Sequence, residues 1–338
     1  MSSQAILPTN SSLESVSDVE RQKLQAQLGE NYQVVRELGR GGMGVIFLAR
    51  DVALHRLVAI KVLRHEFAHS AEHRERFRRE ARVAARLTHP SVVAVHSYGE
   101  SPDLIYLVMR YVHGESLGVR LRREGRIEPE TARRLLAELA LVLEYAHREG
   151  IVHRDLKPEN ILLERGSDRP LLTDFGVALI CSADPSPDEV RRAFGTPQYM
   201  SPEQAAGEVD LDGRSDIYSL GVLAYAMLTG DVPFDGPSFG AIAAQHIAAP
   251  HEPLAEAAPA VPRALAEVVE WCLEKERNAR WQSARELHDA LQACAGGSRG
   301  WIRRGTAVLR GLGRSRVAAA LAIVVTALKQ VAVRWPGI

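Results

Sequence analysis

The chain has 338 residues, 46% of them hydrophobic, with 42 basic against 42 acidic side chains; this is the profile of one or two packed soluble domains and excludes whole-chain disorder or collagen-like repetition. Its three cysteines, Cys181, Cys272 and Cys294, lie far apart without C-x-x-C spacing, so neither a disulfide framework nor a thiolate zinc site is available and a reducing compartment is implied. The zero net charge hides an asymmetry, because seven arginines and Lys329 follow Gly296 with no acidic residue among them, which sets this basic tail apart from an acidic remainder.

Residues 1–15 are rich in Ser, Thr and Asn and read as a disordered lead. No basic start followed by an apolar run occurs in the first thirty residues, so no secretory signal is expected there. Residues 16–28 suit a short polar helix. From Tyr32 the texture becomes strand-like at 32–38, 45–50 and 57–63, an antiparallel meander. Ser70 is placed to cap a charged helix over 71–87, and 92–98 and 104–109 read as two more strands.

Beyond Gly114 the periodicity turns helical. Pro129 suits a first helical turn, Leu135, Leu136, Leu139, Leu143 and Ala146 recur on one face, and Gly150 ends the helix. Residues 216–229 are apolar nearly all round, as in a helix buried inside a domain, and Gly230 with Pro233 stops it. Further helices are expected at 239–248, 262–274 and 283–293. The fold class is α+β, a small antiparallel sheet with one helix followed by a larger, mainly helical lobe, with no internal repeat.

Leu38, Gly39, Arg40, Gly41, Gly42, Met43, Gly44 and Val45 set three glycines in G-x-G-x-x-G register between two predicted strands. Glycines there let backbone N–H groups approach phosphate oxygens. The strand-to-helix context of a dinucleotide fingerprint is missing, which leaves a plain glycine-rich hairpin or a flap over nucleotide phosphates. Seventeen residues after Gly44, Val58-Ala-Ile-Lys61 places a lysine on the third strand, which can snorkel to solvent or reach phosphates. Only five lysines exist among the 42 basic residues, so a lysine can mark a place where arginine's wide fork would not serve. Glu80 on the following helix is either a solvated residue or the partner that holds Lys61.

The densest chemistry is His153-Arg-Asp155-Leu-Lys157-Pro-Glu-Asn160, followed by Asp174-Phe-Gly176. A β-hairpin puts Asp155, Lys157, Asn160 and Asp174 on one rim. There a carboxylate can accept a hydroxyl proton, a lysine can face a phosphoryl group, and an amide with a second carboxylate can hold Mg²⁺ through oxygen. Seven residue identities in one frame leave little room for chance.

On these motifs the chain resembles the eukaryotic-like (Hanks-type) serine/threonine protein kinases of bacteria, over roughly residues 32–292. The resemblance extends to Gly195, Thr196, Ser201-Pro-Glu203, Asp216 and Arg280. It implies a bilobal fold, with lobes of about 32–112 and 113–292 and ATP in the cleft. Nucleotide contacts then fall to Leu38, Gly39, Arg40, Gly41, Gly42, Met43, Gly44, Val45, Ile46, Ala59, Lys61, Leu162, the gatekeeper Met109 and the hinge residues Tyr111 and Val112. Asp155 becomes the catalytic base, Lys157 a neighbour of the γ-phosphate, and Asn160 and Asp174 the Mg²⁺ ligands. Lys61 pairs with Glu80, and Thr196 hydrogen-bonds near Asp155 and Lys157. The serine/threonine form of these stretches and the platform ending at Glu203 imply protein substrates and no nucleic-acid partner. A nucleotide-binding scaffold without transfer is disfavoured by the intact catalytic set, and a small-molecule kinase by the platform. Homodimerisation through the smaller lobe is known in the family, but no residue here derives it.

Three departures stand out. Arg110 replaces a common acidic hinge residue, at little expected cost because backbone groups read adenine there. Ser201 replaces alanine before Pro202-Glu203, while Glu203 keeps Arg280 as its expected partner. Arg154 beside Asp155 implies control by loop phosphorylation, yet between Gly176 and Gly195 the only hydroxyls are Ser182 and Ser186. Asp188 or Glu189 is therefore expected to pair with Arg154 and give partial activity without phosphorylation. Cys181 in this segment reads as a spectator thiol.

After a basic linker over 293–316, residues 317–328 form a 12-residue uncharged run, shorter than the about 20 residues needed to cross hydrocarbon. Extension to 333 buries Lys329 near one end, where it can snorkel, with Trp335 at the interface. The segment admits a single span, a helix lying on the membrane surface, or a soluble tail. A span keeps the catalytic part cytoplasmic and leaves no outer sensor domain on this chain.

Overall fold

A computed structural model describes residues 21–41, 44–102, 104–175 and 196–295. Gly42, Met43, Gly176, Cys181, Ser182, Ser186, Asp188, Glu189, Gly195 and the basic tail, all singled out above, lie outside the described residues. Two units divide the chain, one from residues up to Ala85 together with Ala94–Tyr111, the other from Arg86–Val93 and Val112 onward.

In the first unit, alternating apolar residues build a five-stranded antiparallel sheet. Its strands are β1 (Tyr32–Arg40), β2 (Gly44–Asp51), β3 (Arg56–Leu63), β4 (Val95–Glu100) and β5 (Ile105–Arg110), in the order β1-β2-β3-β5-β4. Period-2 alternation sends neighbouring side chains to opposite faces. Val45, Phe47, Ala49, Val58, Ile60, Val62 and Val108 cluster on one face. Register places Ile46 opposite Lys61, Ala59 opposite Met109 and Lys61 opposite Leu107, on the other.

The core face is covered by α1, a helix over 21–28. The sequence reads this stretch as polar and outside the domain, but Leu24 and Leu28 are buried in the same cluster as Val45 and Phe47. Gln25 fastens the junction: its amide nitrogen Nε2 donates to the Tyr32 carbonyl (2.9 Å), and its Oε1 accepts from the Val34 N–H (2.8 Å). The other long helix, α2 (Ala71–Arg86), buries only Phe77 and Ala81 and is otherwise strongly charged.

The second unit is mainly helical. Its longer helices are α3 (Leu117–Glu124), α4 (Pro129–Arg148), α5 (Gly213–Thr229), α6 (Phe239–Ala248), α7 (Arg263–Cys272) and α8 (Ala284–Ala295). Glu128 caps α4, accepting from the N–H groups of Glu130 and Thr131. Asp212 caps α5 through the Arg214 N–H, and Gly230 ends it in the left-handed conformation. As its apolar sequence requires, α5 is buried from Ser215 to Leu228. A three-stranded sheet, β6 (Gly114–Ser116), β7 (Ile161–Glu164) and β8 (Pro170–Leu172), carries the polar rim.

Val92, read as the start of a strand in the small sheet, pairs instead with Leu172 of this unit. Backbone bonds from Val93 to Leu172 and from Leu172 to Ser91 hold it there, so β4 begins only at Val95.

Candidate active site

In the small unit, β3 presents Lys61 and α2 presents Glu80. Lys61 Nζ lies 2.6 Å from Glu80 Oε1, and the two side chains are 14% and 17% exposed. A partly shielded pair of this kind holds the lysine extended. At the start of β2, a Cβ on Gly44 would stand 2.8 Å from the Val62 carbonyl oxygen. Only glycine lets the loop return this close to β3, and the Gly41 N–H bonds back to the Gly44 carbonyl at 2.8 Å. Arg40 is ion-paired with Glu37 at 3.0 Å.

The phase of β2 corrects one assignment. Val45 is 1% exposed and packs with Leu24 and Phe47 on the core face, so it is not beside Ala59 and Lys61. Ile46 is, since it pairs with Lys61. Of the other residues expected to contact the nucleotide, Ala59 and Met109 are cross-strand partners. Tyr111 closes the first unit, Val112 opens the second, and Leu162 lies on β7 opposite Leu171.

The second unit brings Asp155, Lys157 and Asn160 together. Lys157 Nζ donates to both Asp155 carboxylate oxygens, at 2.8 and 3.1 Å. Asn160 Nδ2 donates to Asp155 Oδ2 at 3.0 Å and to its carbonyl at 2.8 Å. Asn160 in turn accepts the Thr173 N–H at its carbonyl (3.0 Å), which ties it to the strand leading to Asp174. Asp155 is thus a carboxylate fixed by two donors, with its orientation set before any substrate arrives.

This arrangement rests on a buried scaffold. The Asp216 carboxylate, at the start of α5, accepts the His153 N–H (2.8 Å) and the Arg154 N–H (2.9 Å) and contacts His147 Nε2 (2.8 Å). Burial pushes the Asp216 carboxyl up, but His147, His153 and the Arg154 N–H outweigh it and hold it below its usual range. Burial also pushes His153 down, and its contacts define a neutral ring: Nε2 faces the Thr173 carbonyl (3.1 Å) while Nδ1 accepts the Asp155 N–H (3.3 Å). Arg154 and Asp174 both have positive φ, 68° and 57°. Such a conformation costs a non-glycine residue about 1–2 kcal/mol, and the bonds to Asp216 help to hold Arg154 in it.

Thr196 opens the turn Pro197–Tyr199; among the described residues no hydrogen bond joins it to Asp155 or Lys157. The platform follows. Ser201 and Gln204 form a reciprocal capping box, and Gln204 Nε2 also donates to the Arg154 carbonyl at 2.7 Å. Glu203 is clamped by Arg280 through two 2.8 Å contacts and accepts the Ser215 hydroxyl at 2.6 Å.

Comparison with known proteins agrees with this geometry. The protein kinase domain family matches residues 32–292. The chain belongs to that family. The kinase domain is 44% identical over 272 residues to the serine/threonine-protein kinase pkn2 of Myxococcus xanthus, covering 79% of this chain and 32% of that one. It is 36% identical to PrkC of Bacillus subtilis, with coverages of 77% and 40%, and 40% identical to PknB of Mycobacterium tuberculosis, with 79% and 43%. The chain therefore spans less than half the length of these curated relatives. Among solved structures, the kinase domain of Mycobacterium tuberculosis PknI matches with a TM-score of 0.61 and 33% identity, over 78% of this chain and 96% of that one.

ATP and Mg²⁺ are standard for the kinase domain family, and the residues here fit the metal. Asn160 commits its Nδ2 to Asp155 and keeps Oδ1 as an oxygen donor, while Asp174 adds a carboxylate. All-oxygen donors few in number suit Mg²⁺, which shares its coordination with phosphates and water. Among the described residues no group of three or more His, Cys, Asp or Glu could hold a metal by itself.

Sequence reading of the kinase domain missed three supporting residues: His147 on Asp216, Gln204 on the Arg154 carbonyl, and Ser215 on Glu203. Local pattern offers no signal for a contact such as His147 to Asp216, 69 residues apart. Gly213 is one indirect sign, because a Cβ there would stand 2.5 Å from the His147 ring.

Proposed function

We propose that this kinase domain transfers the γ-phosphoryl group of ATP to serine and threonine hydroxyls of protein substrates. The observation that carries the reading is the Asp155 carboxylate, held at once by Lys157 and Asn160. In this role Asp155 orients the acceptor hydroxyl and takes its proton. Lys157, already on Asp155, offers its remaining donor capacity to the transferring group, and Lys61, held out by Glu80, binds phosphate oxygens. Asn160 and Asp174 would hold Mg²⁺, whose charge would offset that of the phosphates. Catalysis of this kind is positioning and charge stabilisation, with no covalent intermediate on the protein.

The test is transfer of labelled phosphate from ATP to casein and to the chain itself, comparing wild type with Asp155→Asn. Transfer that disappears in the variant supports the reading. A wild-type chain that binds Mg-ATP and transfers nothing favours the scaffold alternative.

Two further parts of the reading rest on sequence. Asp188 or Glu189 pairs with Arg154, and reversal of both acidic residues to lysine is expected to lower activity. The basic segment and the apolar run over 317–328 support tethering of the kinase to a membrane; no helix among the described residues is long and apolar enough to cross one. Carbonate-resistant pelleting that disappears on deletion of 299–338 marks a span, whereas salt-sensitive pelleting marks a surface helix.

A further inference from the structure

The helix that carries Glu80 has a weak apolar anchor. Only Phe77 and Ala81 of α2 are buried, little area to fix the rotation of a 16-residue helix. Its polar contacts to the sheet take up that task. Arg74 and Arg78, one turn apart on one face, both converge on Glu100 at the end of β4. Arg74 Nη2 lies 2.6 Å from Glu100 Oε1, and Arg78 Nη2 lies 2.9 and 3.0 Å from the two carboxylate oxygens.

The rest of the Arg74 guanidinium is also engaged. It donates to the carbonyls of Ala68 (2.8 Å), Ser101 (2.7 Å) and Pro102 (3.1 Å). Glu100 accepts a third group, the Tyr98 hydroxyl, at 2.5 Å. The Tyr98 hydroxyl, with Arg74 and Arg78, pulls the Glu100 carboxyl down to about 2, so the clamp stays charged at any working pH.

Geometry relates this clamp to the lysine. Glu80 stands two positions beyond Arg78, about 200° round the helix, so the clamp and the Lys61 contact grip different sides. Both grips start from the same sheet, since Glu100 pairs with Ile105 on β5 and Lys61 with Leu107 on β5. Two attachments to one rigid body fix both the rotation and the position of α2.

We propose that Glu100 is a positioning residue, which through Arg74 and Arg78 holds α2 in the orientation that brings Glu80 to Lys61. An isolated surface ion pair would do little of this, but Glu100 is a shared node with three side-chain donors from two elements. Without it the arginines lose their common acceptor, and Glu80 is no longer held to the Lys61 ammonium.

For the effect on phosphoryl transfer, the inference rests on the kinase reading above. The full chain would be compared as wild type, Glu100→Ala, Glu80→Ala and the double variant, in two assays. Pulsed acylation of the Lys61 amine, read by mass spectrometry, needs no catalysis. Labelling of Lys61 is expected to rise in Glu100→Ala towards its level in Glu80→Ala, with no further rise in the double variant. In the transfer assay, Glu100→Ala is expected to lose about tenfold or more in kcat/KM for ATP, and less than about twofold once Glu80 is already alanine. Glu100→Gln, which keeps one acceptor oxygen, should fall between. Unchanged Lys61 labelling in Glu100→Ala, or losses that multiply independently in the double variant, would overturn the assignment. Absence of transfer in wild type would count against the kinase reading alone, because the labelling result stands without it.

Discussion

Glu203 and Arg280 face each other through two N–H···O contacts of 2.8 Å, with side chains 3% and 0% exposed. Arg280 also donates to the carbonyls of Glu274, Lys275 and Arg214, so five acceptors depend on one guanidinium. Removing Glu203 leaves the buried guanidinium without its carboxylate, and removing Arg280 leaves Glu203 only the more distant Arg277 Nε at 3.7 Å, at about 3–5 kcal/mol. Arg280→Met and Glu203→Leu are each expected to lower the melting temperature sharply, with the double variant less harmed than the sum. Burial pushes the Glu203 carboxyl up, but Arg280 and Ser215 overcome this and hold it below the usual range. A depressed carboxyl stabilises the fold above its unfolded value, about 4.3, and loses that contribution as pH falls through the folded value. The stability gap between wild type and Glu203→Gln should therefore narrow in acid, as denaturation followed from pH 7 to pH 3 would reveal.

Asp216 supports the catalytic segment through backbone groups, so its replacement should act on rate as well as on stability. Asp216→Asn keeps one acceptor oxygen and presents N–H groups where the other stood, and a lost charge-assisted bond costs about 1.5–3 kcal/mol. The expected outcome is a fall in kcat of tenfold or more with a small change in KM for ATP, measured by steady-state kinetics at fixed Mg²⁺.

Lys275 gives a pH signature of the same sign as Glu203, but in the alkaline range. Its Nζ lies 4.0 Å from the Phe234 ring centroid, a contact that favours the charged form, and donates to the Gln245 carbonyl at 3.1 Å. Burial, with the charge of Arg280, nevertheless pulls the amine down to about 7. Between there and its ordinary value of 10.5, the unfolded chain binds the extra proton, so stability rises with pH across that window. The slope for one group is at most about 1.4 kcal/mol per pH unit. Lys275→Met should flatten the rise between pH 7 and 10, an effect read as the difference between the two proteins in urea denaturation.

Truncation separates the folded unit from the family boundary at residue 32. Deleting 1–20 should leave stability near that of the full chain. Deleting 1–31 removes Leu24 and Leu28 from the core, at about 1.5–3 kcal/mol for each buried leucine. A drop of several degrees in the melting temperature of the small unit is expected for the second deletion only.

Much of this was legible before any coordinates. Lys61, Asp155, Lys157, Asn160 and Asp174 stand in a motif whose spacing carries its chemistry, and the helix Phe239–Ala248 has the bounds that periodicity predicts. What escaped depends on distant partners or on phase. Val92 and Val93 look like a strand start, but Leu172 captures them. Leu24 and Leu28 sit in a polar stretch and become core only because an apolar sheet face needs cover. Val45 and Ile46 are adjacent and similar in chemistry, and composition does not say which faces Lys61. His147, Gln204 and Ser215 are ordinary polar residues until the fold delivers Asp216, Arg154 and Glu203 to them.

The two-faced sheet also determines what kind of change the kinase domain can survive. Substitutions among Val45, Phe47, Val58, Ile60 and Val62 exchange one apolar volume for another and can be absorbed by repacking. Insertion or deletion of a single residue in β3 is different in kind, because it inverts every side chain beyond it. Lys61 would enter the core under α1, and Ile60 or Val62 would stand where the ammonium belongs. Along this strand, drift in residue identity is tolerable while drift in length is lethal, and the Gly44 contact with the Val62 carbonyl is the point where the count is enforced.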